Sequence, residues 1–204
     1  MRRTSPPAGQ RSRGRHPGTR SVPVLLGGAN GRRIGLMRWG WNPTALAGRL
    51  LINCRGEEAH AKRMFQEPLA RRRCVVPATA FYEWQPAPTK ATRPQPFAFE
   101  PVAGGLWGIG ALWEPVTGGD GQRGGAVILM TVPANALVAP VHDRMPLLIP
   151  LDRLDTWLDP AVPATVAQPW LAPSPPEAWR SWPISRAISD VHRDGPEILA
   201  LLSP

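Results

Sequence analysis

Apolar residues in this chain come in short runs, and most of those runs stop at a proline or a glycine. SVPVLL, IGLMRWGW, RLLINCR, CVVPATAFYEW and AVILMTVP are separated by segments such as GGANGRR, PAPTKATRPQP and APSPPEAW. The 204 residues include 26 prolines and 20 glycines. Proline removes a backbone donor and fixes φ, so such punctuation marks the ends of elements. It leaves many short strands with a few short helices, an α+β arrangement of mostly antiparallel strands. Regular crossover helices between the strands are lacking, which argues against a doubly wound parallel sheet.

The length suits one good-sized domain, or at most two small ones. No apolar run approaches the roughly 18 residues of a membrane span, and the basic N-terminus lacks the apolar core of a secretory signal. Residues 1–13 are basic and rich in Pro, Gly and Ser, and read as a disordered arm ahead of a domain spanning 14–204. Cys54 and Cys74 give neither a disulfide framework nor zinc spacing, and the expected setting is the reducing cytoplasm. The formal charge of +9 suits a polyanionic partner, nucleic acid above all. No metal constellation and no cofactor motif are found. GGANGRR and GGDGQRGG lack the Gly-Lys-Ser/Thr end of a phosphate loop.

Between the runs, EEAHAKRMFQEPLARRR reads as one helix with an i,i+4 pair of Glu58 and Lys62, ended or turned by Pro68. CVVPATAFYEWQ reads as two strands joined at Pro77, PFAFEPVAGGLWGIGALWEP as a hairpin, and LDRLDTWLDP as a short helix stopped by Pro160.

Four fragments embed polar groups in apolar surroundings. LLINCR carries Asn53, whose amide could orient a substrate or satisfy a turn. Its Cys54 is either a nucleophile beside Arg55 or a small buried residue. AFYEW carries Glu83, which strand alternation puts on the face of Phe81, opposite Tyr82 and Trp84. A carboxyl held among aromatics has a raised pKa and suits acid–base work, whereas on a half-exposed strand it is merely a surface charge. VHDRMP sets His142, Asp143 and Arg144 in a short loop between core elements. There His142 could shuttle protons and Arg144 could bind phosphate, or the imidazole is simply a core group with its hydrogen bonds met. Arg63, the Arg71–Arg73 run, Arg38, Trp39 and Trp41 supply the cations and aromatic faces of single-strand binding, unless the tryptophans are core.

Taken in order, RWGWNP, LINCRGEEAHAKRMF, RRRCVVPATAFYEW, MTVPANALVAPVHDRMPLLIP and PISRAISDVHRDGPEIL resemble the SRAP family, the SOS response-associated peptidase-like proteins. RGRHPGT would be the counterpart of that family's RYNVAPG-type segment. The resemblance implies abasic site processing on single-stranded DNA by a monomer, cytoplasmic and nucleoid-associated. It assigns catalysis to Asn53, Glu83 and His142, and DNA contacts to Arg55, Arg63, Trp39, Arg72 and Arg144. Family members join the lesion aldehyde to the amine and thiol of an N-terminal cysteine, the same residue credited with the peptidase activity. This sequence opens Met-Arg-Arg where the family opens Met-Cys-Gly-Arg. One reading is a start assigned too far downstream. The other is a degenerate paralogue that binds single-stranded DNA without covalent capture. Further departures are Thr44-Ala45-Leu46, where the family often has a tryptophan, Cys54 in place of alanine, and Thr79-Ala80 before FYEW. A different hydrolase built on Cys54, His142 and Asp143 is a third alternative.

Overall fold

The computed structural model of the chain describes residues 21–28, 31–42, 50–89, 92–117, 121 and 123–190. The expected arm, the RGRHPGT segment, Thr44-Ala45-Leu46 and the end of PISRAISDVHRDGPEIL past residue 190 lie outside the described residues.

Strands dominate. They are β1 Ser21–Leu26, β2 Arg33–Trp39, β3 Asn53–Arg55, β4 Arg73–Ala78, β5 Phe81–Gln85, β6 Gln95–Pro101, β7 Trp107–Thr117, β8 Arg123–Pro133, β9 Arg144–Pro146, β10 Leu148–Ile149 and β11 Trp179–Pro183. The helices are short: α1 Gly56–Ala59, α2 Arg63–Arg71, α3 Leu154–Leu158 and α4 Ala164–Ala167.

One sheet closes on itself through β1–β2–β8–β7–β4, and β4 returns to β1. Alternation turns Val22, Val24, Leu26, Cys74, Val76, Ile109, Ala111, Val127 and Leu129 into its interior. The β1–β4 seam is confined to Leu25↔Val75. Two residues along that register stand Pro23 and Pro77, neither of which has an N–H to extend the ladder. Antiparallel pairing predominates, but the sheet is mixed, because β2 and β3 both run parallel to β8 along one of its edges. They behave as one interrupted strand, linked by the Trp41↔Leu51 bridge.

The segment expected as a hairpin is not one. β6 pairs with β5 and β11 in a separate three-stranded sheet, whereas β7 pairs with β4, β8 and β10. The Gly104–Gly105 turn, with both φ values positive, carries the chain from one sheet to the other. The expected single helix is two, since Lys62 is extended between α1 and α2. Pro68 neither ends α2 nor starts a turn; it lies inside the helix, on the buried face with Phe65 and Leu69. The β4–β5 junction falls at Thr79–Ala80 rather than Pro77. The helix before Pro160 forms as expected, α3 following a single 3-10 turn.

A second core lies outside the closed sheet. There Phe65, Leu69, Leu154, Trp157 and Leu158 cover Val75, Leu112, Ile128 and Met130, and Phe81 stacks on Phe99 at 4.8 Å. Arg73, 4% exposed, fastens this layer. Its guanidinium donates to the carbonyls of Leu69, Ala70, Trp157, Asp159 and Val162 at 2.6–3.2 Å.

Candidate active site

β8 is the rail on which the site is hung. One edge of its C-terminal half takes β3 with Asn53↔Leu129 and Arg55↔Thr131, and the other takes β9 with Thr131↔Pro146 and Pro133↔Arg144. Asn53, Arg55, Thr131 and Arg144 are therefore gathered by register, whatever the intervening loops do. β5 brings Glu83 from the smaller sheet.

The loop between β8 and β9 is closed by local bonds. The Asn135 side chain accepts from the backbone N–H groups of Leu137 and Val138, and Ala134 N–H donates to the Asp143 carbonyl. Gln85, on the same face of β5 as Glu83, donates through Nε2 to the Pro140 carbonyl and ties the loop to that strand. His142 and Asp143 stand at the end of this loop as the sequence suggests, while Arg144 already belongs to β9.

Glu83 is 2% exposed, and its Oε2 has no hydrogen-bond partner among the described residues. Nε2 of His142 lies 3.9 Å from that oxygen. That is too long for a direct hydrogen bond, and two oxygens on one substrate carbon could each approach one of the two atoms. Burial, with the nearby Asp143 charge, pushes the Glu83 carboxyl up to about 9. It holds its proton at neutral pH and can serve as an acid.

The other imidazole nitrogen has two partners in one residue. Nδ1 lies 2.9 Å from the Arg144 backbone N–H and 3.1 Å from the Arg144 carbonyl oxygen. A bare Nδ1 accepts from the N–H; a protonated Nδ1 donates to the carbonyl. Asp143 Oδ1 stands 3.3 Å away as a further acceptor. Nε2 can thus face Glu83 as donor or acceptor without stranding Nδ1.

The remaining expected site residues fall into two groups. Asn53 stays by the rail with its Oδ1 buried and without a hydrogen-bond partner among the described residues. Arg55 is exposed and pairs with Glu58 at 2.8 Å. Glu58 also takes the expected Lys62 partner at 2.5 Å. Arg63, exposed at the start of α2, has no ion pair among the described residues.

Trp39 and Arg72 are different. Trp39 is 5% exposed inside the closed sheet, its Nε1 donating to the Ile52 carbonyl. Arg72 is held by Glu67, by Glu114 and by the Trp113 carbonyl. Trp39 pairs with Val127 and Glu114 with Ala126, so both lie six or seven residues along β8 from Pro133. That is roughly 20 Å of strand away from Arg144. Core packing accounts for the placement of Trp39, and carboxylate pairing for that of Arg72.

Cys54 is buried and its thiol is pushed up to about 12, chiefly by desolvation, so it is no thiolate near neutral pH. Cys74 is buried in the same sense. The set of Cys54, His142 and Asp143 therefore lacks a nucleophile.

Sequence reasoning missed Glu57. Its carboxylate takes both terminal nitrogens of Arg144, at 2.5 and 2.8 Å, and this hydrogen bonding holds its pKa below the usual range. Arg144 also donates to the Thr131 carbonyl at 2.7 Å. Its side chain is 16% exposed.

Comparison with known proteins agrees with this architecture. Residues 8–191 match the family described as SOS response associated peptidase (SRAP). The chain is 25% identical over 186 residues to the abasic site processing protein YoqW of Bacillus subtilis, covering 89% of this chain and 82% of that one. It is 32% identical over 168 residues to the abasic site processing protein HMCES of Gallus gallus, covering 72% of this chain and 49% of the relative. A crystal structure of a protein from Bacteroides thetaiotaomicron superposes with a TM-score of 0.79 at 18% identity, over 90% of this chain and 82% of the other, which establishes a shared fold.

Proposed function

Because the chain belongs to the SOS response associated peptidase (SRAP) family, we propose that it engages abasic sites in single-stranded DNA and opens the lesion sugar with Glu83 and His142. The observation that carries this reading is the buried, unpartnered Oε2 of Glu83 facing Nε2 of His142 at 3.9 Å. An abasic deoxyribose is a cyclic hemiacetal. When it opens, the C1 hydroxyl gives its proton to Nε2, the bond between C1 and the ring oxygen breaks, and the ring oxygen takes the Glu83 proton. The product is an aldehyde. Asn53 Oδ1 is an acceptor for an N–H or O–H at the lesion. Arg55 and Arg63, both exposed, are the cations offered to the DNA phosphates.

Covalent capture of that aldehyde needs an amine. Lys62 is half-exposed and engaged in an ion pair with Glu58. Both cysteines are buried. These facts favour non-covalent engagement by the described residues, with capture assigned to an N-terminal cysteine where the native protein carries one.

The test uses a single-stranded oligonucleotide with one abasic site and its intact counterpart. An external alkoxyamine reports the aldehyde by oxime formation. We expect tighter binding to the lesion, and oxime formation that rises with enzyme and is lost in Glu83→Gln and His142→Ala. Equal affinity for both oligonucleotides, with no effect on the oxime rate, would overturn the reading. The mass of the N-terminal peptide from source cells, read beside a denaturing gel, decides capture. A leading cysteine should accompany a cross-linked band, and Met1 or Arg2 should accompany none.

A further inference from the structure

We propose that Glu57 is a positioning residue for His142, acting through Arg144. The inference rests on the Glu83–His142 reading above, because it concerns how that imidazole is held.

His142 has few restraints of its own. Its side chain is one-third exposed, and among the described residues the hydrogen-bonding groups on Nδ1 are the Arg144 N–H and C=O, beside the exposed Asp143 carboxylate. Those two backbone groups belong to the first residue of β9, where the loop becomes strand. A terminal strand residue is easily displaced unless its side chain is anchored. Arg144 is anchored twice. Glu57 takes Nη1 and Nη2 in a two-pronged pair, and the Thr131 carbonyl takes Nη2. Thr131 is fixed to β3 through its Oγ1, which donates to the Cys54 carbonyl. Glu57 follows β3 directly, at the start of α1. The anchor therefore runs from β3 and α1 across β8 to β9, and ends on the two atoms that partner Nδ1 in either protonation state.

Charge gives the idea a second, separable consequence. The charged groups around the pair are Glu83 from β5, Asp143 from the loop and Arg144 from β9, with Glu57 on the Arg144 guanidinium and Arg55 near Asp143. Glu57 neutralises Arg144. Glu57→Gln leaves the guanidinium uncompensated and Arg144→Gln leaves the Glu57 charge instead, so the two variants change the local charge in opposite senses and should move the pH profile of the oxime-formation rate in opposite directions. A purely structural role for the pair would not yield shifts of opposite sign.

The experiment measures three quantities on the full chain: affinity for the abasic oligonucleotide, the oxime-formation rate at saturating enzyme, and the pH profile of that rate. Glu57→Gln and Glu57→Ala should lower the saturated rate by about 10- to 100-fold, as for a catalytic group misplaced by up to an ångström. Affinity for the abasic oligonucleotide should change less than threefold. If Glu57→Ala fails to fold, Glu57→Gln, which keeps shape and one acceptor, decides the matter. An unchanged rate and unchanged pH profile in Glu57→Gln, with His142→Ala inactive, would sink the proposal while leaving the reading of the site intact. If His142→Ala is itself fully active, the site reading fails, and this proposal falls with it.

Discussion

Replacing Glu83 with glutamine should stabilise the protein while abolishing its chemistry, and the gain should grow with pH. The unfolded carboxyl ionises at its ordinary value of 4.5, whereas the folded one does so at about 9. Between those values the native state holds a proton that the unfolded state has lost. Unfolding then releases a proton, so raising the pH favours the unfolded state. The penalty starts near pH 4.5, increases by about 1.4 kcal/mol per pH unit, and levels off near pH 9. At pH 5 it is about 1 kcal/mol and at pH 7 about 3 kcal/mol. Glutamine does not titrate and carries none of it. Its amide must still be accommodated next to His142, but that cost is the same at every pH and changes only the offset. Urea unfolding of both proteins at pH 5, 6, 7 and 8 gives the difference in stability. A difference that widens in favour of Glu83→Gln by about 1 kcal/mol or more per unit is the expected result. A difference that stays flat would mean that Glu83 is ionised in the folded protein, and the assignment of this carboxyl as an acid would be refuted.

Three further outcomes follow from the packing. Arg73→Met withdraws a guanidinium from five backbone carbonyls on three segments, so it should cost about 3–5 kcal/mol in urea unfolding, since the carbonyls lose a charged donor inside the structure. Gly27→Ala should lower stability by about 1–3 kcal/mol, because its Cβ would meet the Leu158 carbonyl oxygen at 2.3 Å and the α3 layer would have to retreat; a thermal melt reads this directly. Cys54→Ala should leave the lesion-dependent oxime rate within about twofold of the parent, and neither cysteine should react with a thiol reagent in the folded protein at pH 8.

Strand identity was written locally in this chain, and strand partnership was not. SVPVLL and FYEWQ declare themselves by alternation, and Phe81 and Glu83 do share a face opposite Tyr82 and Trp84. β6 and β7 look like a hairpin because a Gly-Gly turn joins them. The contest was decided elsewhere: β5 and β11 occupy both edges of β6, and β4 and β8 flank β7. The same holds for the helix. Its polar face reads straight from Gln66, Glu67 and Arg71, but the break at Lys62 lets α2 turn Phe65, Pro68 and Leu69 into the outer core, a demand that no local pattern records. At the site, Glu83 and His142 stand out as ionisable groups among apolar neighbours. Glu57 does not, for an acidic residue in the first turn of a helix needs no other explanation. Its partner Arg144 is 87 residues away, and only the β3–β8–β9 register brings them together. Trp39 misled for the converse reason: beside Arg38 it looks like a stacking surface, yet alternation along β2 points it inward with Met37.

The two sheets also bear on how a lesion would approach in the proposed reading. Glu83 is anchored on the middle residue of β5, pairs with Phe97 of β6, and is sealed to 2% exposure behind the Phe81–Phe99 stack. His142 sits on the loop that Gln85 ties to the same strand, and its side chain keeps one-third of its surface. In the proposed reading a sugar oxygen therefore meets the more exposed imidazole first. That order matches the chemistry. The C1 hydroxyl needs a group that exchanges protons with solvent between turnovers, which an exposed imidazole does readily. The ring oxygen needs an acid that stays protonated at neutral pH, which only a desolvated carboxyl supplies. The same desolvation that makes Glu83 useful destabilises the fold as pH rises, so activity and the pH-dependent stability loss have one physical origin.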